Sequence, residues 1–470
     1  MTATHISPYR GQWYPEPVEE LESLLDEKYA QSRKRTEPVL PAGLGFVAPH
    51  AGPAYSGTVA ASVYRTLRQQ QARRIVILAF PHHGLLRGVA APDVDAISTP
   101  LGEVKMERPF GREFRTVSES RLCDHSLEIQ LPFLQTSVPD ALLAPLYVGQ
   151  LSAEERGEAA AVLAREWQPG TVFIASSDFT HYGREFGYQP FPVDAHTAQH
   201  LRELDFEYID AAASLSAGRF LDVLERRRGN VCGAGPIALL LEVLKRLDGH
   251  GIYPTTLDYQ TSGEVTGDFH HSVSYAALGF HSRAVFELES ADREVLLDSA
   301  AETLRRLRND GRQEPVPCRG GSAALAAKRG VFVSLHRGEE LLGCIGNLAG
   351  RYPLCEEVSH LALSAALDDP RFRPAASSEG PIDIEISLLT PFRRIYNASE
   401  FEIGRHGGYL SRDGRSGLLL PQVAEGRDWT AEDFLHALER KSGLWKDAHR
   451  DPKARMYVFE AQVFSRQNAV

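Results

Sequence analysis

Ile75-Val76-Ile77-Leu78-Ala79-Phe80-Pro81-His82-His83-Gly84 reads as a strand that ends in chemistry. Six apolar residues in a row, with no polar alternation, mark a strand covered on both faces, as in the middle of a parallel sheet. Proline stiffens the exit from the strand, and two histidines follow at once. The same texture recurs on either side. Leu44-Gly45-Phe46-Val47-Ala48 precedes it; Leu142-Leu143-Ala144-Pro145-Leu146-Tyr147-Val148 and Thr171-Val172-Phe173-Ile174-Ala175 follow. Helical stretches over 153–166, 195–210 and 236–247 lie between and after these runs. That order predicts an α/β domain with a sheet parallel at least in its centre.

The pattern changes after Phe280-His281-Ser282. Residues 292–308 predict one amphipathic helix, and a polar loop bearing Pro and Gly spans 309–321. Ile382-Asp383-Ile384-Glu385-Ile386-Ser387-Leu388 alternates cleanly, and Met456-Tyr457-Val458-Phe459-Glu460-Ala461 more loosely. Period-two alternation indicates antiparallel strands with one wet face. Two domains follow, with the boundary near residues 283–290: an α/β domain over 1–285 and an α+β domain over 286–470.

The 470 residues carry 51 Lys and Arg against 62 Asp and Glu, a net charge of −11. That balance argues against nucleic acid or an anionic membrane as the main partner, since both reward clustered cations. Arg226-Arg227-Arg228 reads as a solvated helix end, because cations favour helix C-termini. The five cysteines are an odd count in a long chain, so a disulfide framework is not expected and a reducing setting is. Cys123, Cys318 and Cys355 read as incidental. The first ten residues have no apolar signal core, and no apolar run reaches the ~18 residues of a membrane span. A cytoplasmic protein is therefore expected. Neither a Gly-x₄-Gly-Lys-[Ser/Thr] phosphate loop nor a Gly-x-Ser-x-Gly nucleophile elbow occurs.

Chemistry-bearing residues gather at the predicted strand ends: Pro49-His50-Ala51-Gly52, Pro81-His82-His83-Gly84 and Ser176-Ser177-Asp178-Phe179-Thr180-His181. In a parallel sheet the carboxyl ends share one edge, and ligand crevices open there. His50, His82 and Cys232 form a candidate metal shell, since imidazole and thiolate suit iron, copper or zinc. Cys232 opens a helix, where the dipole favours the thiolate. His83 is expected to point away from His82. A lone histidine after a strand is more often a hydrogen-bonded loop residue, and a lone cysteine a small buried hydrophobe. The succession of Pro-His strand ends is what favours convergence. On a helix His125 and Glu128 share a face, either as an acid/base pair or as a surface ion pair.

These segments, with Gly11-Gln12-Trp13-Tyr14-Pro15 and Ser272-Val273-Ser274-Tyr275, resemble the Memo family. The resemblance implies a fold like that of class III extradiol dioxygenases and a metal site at His50, His82 and Cys232. Those dioxygenases hold Fe(II) with two histidines and a carboxylate; Cys232 stands where the carboxylate is expected. The reading that follows is a metal-dependent redox enzyme, iron first and copper or zinc as alternatives. His125, Glu128, Asp178 and His181 act as catalytic or orienting groups, and Trp13, Tyr14, Tyr55 and Tyr182 wall the pocket. The family's association with phosphorylated peptides implies an alternative, a non-catalytic peptide- or ligand-binding scaffold. A third is an iron- or copper-handling protein.

The second domain resembles the AMMECR family through Leu342-Gly343-Cys344-Ile345-Gly346, Asp369-Pro370-Arg371-Phe372 and Leu420-Pro421-Gln422-Val423. The family's hexapeptide has Arg where this chain has Leu342, which removes any anion-binding role of that Arg. Cys344 is the candidate residue here: its glycine neighbours suggest close approach by a ligand or by another segment. The fusion is similar to the AmmeMemoRadiSam grouping. This chain lacks a Cys-x₃-Cys-x₂-Cys cluster, so the resemblance implies a separate radical-SAM protein as partner, besides a small-molecule or peptide substrate.

Overall fold

Residues 74–79 form a strand because every side chain finds apolar cover, and alternate side chains feed opposite faces. Val76 and Leu78 enter one core; Ile75, Ile77 and Ala79 enter another. Phe173 and Ala175 divide from Val172 and Ile174 in the same way. Each fully buried Phe or Ile stabilises the fold by about 1.5–3 kcal/mol relative to exposure. The computed structural model describes residues 4–36, 40, 42–107, 113–247, 251–375 and 380–470. The chain divides into two compact units, Met1–Ser282 and Arg283–Val470.

The main sheet of the first unit is mixed. Its strands are β1 (Gly43–Ala48), β2 (Arg74–Ala79), β3 (Val89–Pro92), β4 (Arg115–Val117), β5 (Leu142–Val148), β6 (Thr171–Ser176), β7 (His181–Gly183), β8 (Ile252–Thr261) and β9 (His271–Ser282). They run in the order β7-β9-β1-β6-β2-β5-β3-β4, with β8 paired to β9. The centre, β1-β6-β2-β5, is parallel. β9 closes one side antiparallel to β1, and β3 pairs antiparallel to β5. The helix Pro53–Gln70 packs in one core and Ala234–Leu247 in the other. Because β6 inserts between β1 and β2, the carboxyl ends of these three strands lie side by side. Such a reversal of strand order is where open α/β sheets bind ligands.

The second unit holds two antiparallel sheets. One runs Glu340–Asn347, Val331–Arg337, Asp383–Leu389, Ala461–Arg466. Its alternating Val331, Val333, Leu335 and Ile384, Ile386, Leu388 pack with helices Ser290–Asp310 and Leu354–Leu367. The other runs Arg393–Ile395, Arg455–Phe459, Gly407–Arg412, Arg415–Leu419 and packs with the helix Ala431–Lys441. The stretch 456–461 is therefore not one strand: it breaks at Glu460 and crosses from one sheet to the other. Glu460 accepts from the Arg405 guanidinium at 2.8 Å, which fixes the crossover point.

Two of the cysteines taken as incidental are joined. Cys318 and Cys355 form a disulfide, with Cα atoms 5.7 Å apart. The loop after the helix Ser290–Asp310 folds back onto the start of Leu354–Leu367, and spacing along the chain gives no hint of that return. Among the described residues, no helix is long and apolar enough to cross a membrane.

Candidate metal centre at the carboxyl edge of the sheet

Each candidate ligand leaves the end of a central strand or the start of a helix. His50 follows β1, His82 follows β2, and Asp178 follows β6. Cys232 lies just before the helix Ala234–Leu247. That loop can reach β6 because residue 233 is glycine: a Cβ there would lie 2.4 Å from the Ser177 Cβ. Residue 233 also donates its N–H to Ser177 Oγ at 3.0 Å.

The ligand atoms of His50, His82 and His125 lie within 4.8 Å of one another. The His50 and His82 rings meet edge to face at 5.2 Å, and those of His82 and His125 lie 4.0 Å apart, tilted by 36°. Cys232 joins through His50, with Sγ 3.1 Å from Nε2. The hydrogen bonds around the ring fix the His50 tautomer. Ser176 Oγ donates its only proton to the Ser126 carbonyl, so it can only accept from His50 Nδ1 at 3.0 Å. His50 therefore carries its proton on Nδ1, and the Nε2 lone pair faces the cluster. Asp124 does the same for His82: its carboxylate accepts from the backbone N–H at 2.7 Å and lies 3.3 Å from Nδ1. Carboxylate and hydroxyl partners of this kind orient metal-binding imidazoles.

Electrostatics keep His50 and His125 neutral. Burial pushes His50 down to about 3, and the neighbouring His82 adds to it. His125 is lowered to about 3 by burial, then by His50 and His82. Burial alone raises Asp124, but hydrogen bonds from His82 and Ser126 outweigh it and hold the carboxyl below its usual value. The helix start does not favour the Cys232 thiolate as the sequence suggested. Burial, followed by the Asp178 charge, drives this thiol upward, and it outweighs the N–H that Asp178 donates to the sulfur at 3.2 Å. A cation beside the sulfur reverses that balance, because a coordinating thiol is deprotonated by the ion it binds. Imidazoles held through their Nδ1 atoms and a buried thiol are a donor set that fits iron, copper or zinc.

The other expected site residues fall differently. Asp178 is buried, and its Oδ1 accepts the N–H groups of His50 at 2.8 Å and Ala51 at 3.3 Å. It clamps the strand exit, and burial raises its carboxyl. His181 is half-buried beside it, with Nδ1 2.9 Å from the Phe179 carbonyl and its N–H on Asn230. Glu128 does not pair with His125. Its Oε1 meets His5 Nε2 at 3.0 Å, while Oε2 is buried without a partner. The N-terminal strand Thr4–Ile6 brings in His5, which takes the Glu128 carboxylate in place of His125. His5, Cys123 and Glu128 form a second, separate group of metal-type donors.

Trp13 covers the centre, its ring 4.6 Å from that of His125, and Tyr55 is 48% exposed. Tyr14 and Tyr182, expected at a pocket wall, are both buried. Tyr14 is buried with its OH on Ser7 Oγ at 2.9 Å, and burial pushes it to about 12. Tyr182 is fully buried, stacked on Phe191, with its OH on the Phe191 carbonyl. Large aromatics with one satisfied hydroxyl are good core residues, which is why their type alone did not separate wall from core. His83 turns away from His82, toward the Tyr9 hydroxyl at 3.4 Å. Sequence reading overlooked Ser176, Asp124 and Gln130, whose Nε2 donates to Ser176 Oγ and to the Pro49 carbonyl. Asp124 beside His125 was the one available signal.

In the second unit Cys344 is partly exposed. Its N–H donates to Asp369 Oδ2 at 2.8 Å, Ser334 Oγ donates to its sulfur at 3.2 Å, and Arg371 binds its carbonyl at 2.9 Å. Gly343 is there for a neighbouring segment, since a Cβ would strike the Ala365 carbonyl. Leu342 is buried in the core. The Arg371 guanidinium beside Asp369 lowers its carboxyl from 3.8 to about 2. A depressed carboxyl stabilises the fold above its unfolded value and loses that contribution as pH falls toward the folded one. Asp369→Asn should therefore lower stability at neutral pH and flatten the loss between pH 3.8 and 2, as read from Tm against pH. An unchanged acid limb would refute the assignment.

Residues 7–279 match the family model described as Memo-like protein, and residues 297–464 match AMMECR1. A MEMO1 family protein of Methanosarcina acetivorans is 36% identical over 277 residues, covering 57% of this chain and 96% of the relative. Protein MEMO1 of Xenopus laevis is 28% identical over 284 residues, covering 57% and 94%. Among solved structures, uncharacterized protein PH0010 of Pyrococcus horikoshii is 32% identical, covering 38% of this chain and 93% of that one at a TM-score of 0.35. The chain belongs to the Memo family, and in it an AMMECR1 domain follows the Memo domain.

Proposed function

We propose that the first unit, built like the class III extradiol dioxygenases, holds an iron ion on His50, His82 and Cys232 and serves as a metal-dependent redox enzyme. The carrying observation is the meeting of two imidazoles with fixed tautomers and a thiol where β1, β6 and β2 end side by side. Bound iron supplies a Lewis-acidic centre able to exchange single electrons. The chain's own residues do the rest. Ser176 and Asp124 orient the imidazoles, and Asp178 holds the His50 backbone in place. His125, neutral and in the same cluster, is placed to accept a proton from a substrate. Trp13 shields one side of His125 from water. A separate radical-SAM protein is the partner this reading carries over from the domain fusion.

The test is elemental analysis of the full chain purified without oxygen and without an affinity-metal step, alongside oxygen uptake. About one iron per chain is expected, on the usual stoichiometry of a single closed donor set. Absence of iron and copper, even after reconstitution, would refute the proposal.

A further inference from the structure

A second cavity lies beside the metal centre and shares two of its backbone segments. It has a volume of about 270 Å³, at the lower end for small-molecule sites. Phe80 and Pro81 line it just before His82, and Gly235 lines it just after Cys232. None of the candidate ligands faces into it. Its walls are mostly apolar, with Val148, Leu221 and Ala238 among them; Gln150 is the one neutral polar side chain of the lining, and no acidic side chain contributes. At the rim, Leu85 is 93% exposed, an apolar side chain left in water.

Arg156 lines this cavity from the helix Ala153–Arg165. It is only 9% exposed, and its Nε is buried with no hydrogen-bond partner. Among the described residues, no carboxylate pairs with it. A guanidinium keeps its charge throughout the working pH range, and burying its Nε without an acceptor is costly. The cost is recovered when an anion supplies the acceptor, and the planar guanidinium suits a carboxylate.

We propose that this cavity binds an apolar monocarboxylate, its chain against the aliphatic wall and under Leu85, its carboxylate on Arg156. Phe80 couples the two sites, since it lines the cavity and its ring meets that of His82 at 4.8 Å.

The test is isothermal titration of the full chain with sodium octanoate, with 1-octanol as the uncharged analogue. Saturable octanoate binding is expected, with octanol at least about tenfold weaker, the usual effect of losing a charge-assisted pair. Arg156→Gln should weaken octanoate by about 10- to 100-fold, and Arg156→Lys by less. Ala238→Phe, which fills the cavity and leaves Arg156 in place, should abolish binding. No saturable octanoate binding at millimolar concentration would overturn the proposal. So would equal affinity for octanol, or undiminished binding by Arg156→Gln. If Arg156→Gln does not fold, the octanol comparison and Ala238→Phe decide. None of these readouts depends on the metal.

Discussion

Replacing His50 and Cys232 together by alanine should strip the metal from the protein and leave its fold intact. The pair supplies adjacent donors 3.1 Å apart, and no other side chain among the described residues bridges His50 Nε2 to the loop at 232 in the same way. Two donors removed from three leave His82 alone, with His125 nearby, and affinity should fall by well over ~100-fold. Fold survival follows from position. Both residues follow or precede the regular elements at the carboxyl edge of the sheet, and the His50 backbone stays clamped by Asp178. Asp124→Asn is the graded control. It keeps the shape but weakens the acceptor that orients His82, and such changes typically cost about 10- to 100-fold in metal affinity. Elemental analysis and competition with a chelator read both effects, and circular dichroism reports the fold. Full metal retention in the double variant would sink the assignment of these ligands.

The convergence of His50 and His82 was legible because two independent sequence signals coincide there. Unbroken apolar runs mark strands with two covered faces, and proline-histidine pairs end two of them. The alternation of Ile75, Ile77 and Ala79 against Val76 and Leu78 between two cores is the physical content of that reading. What escaped was set by contacts between distant segments. His5 meets Glu128 across 123 positions, and Ser176 joins His50, Gln130 and the Ser126 carbonyl from three different elements. Neither partnership leaves a periodic trace. The break at Glu460 was hidden because strand propensity continues through it; contacts from Arg405, Arg283 and Thr390 mark the corner, and all come from distant segments. Spacing on a helix likewise suggested a His125–Glu128 pair, but His5, distant in sequence, takes the Glu128 carboxylate.

Asp205→Ala should be among the most destabilising single substitutions in the first unit. Asp205 lies on the helix Thr197–Ala213 and is fully buried. It accepts the Thr180 N–H at 3.2 Å, the Thr180 hydroxyl at 2.6 Å and the Tyr259 hydroxyl at 2.7 Å. Burial raises this carboxyl even though these hydrogen bonds act the other way, so the group is held at a cost that its partners only partly offset. Truncation to alanine leaves three buried donors without their acceptor, and about 3–5 kcal/mol of stability should go with them. Asp205→Asn keeps one acceptor oxygen and should lose less. The consequence reaches the metal centre through the chain. Thr180 ends the segment in which Asp178 donates to Cys232 Sγ and clamps His50, so loosening it lets both contacts slacken. Urea unfolding of the full chain should show the loss, and the folded fraction of Asp205→Asn should bind metal more weakly than the parent although Asp205 touches no candidate ligand. A cost below about 1 kcal/mol for Asp205→Ala would mean that the Thr180 segment is held by something other than this carboxylate.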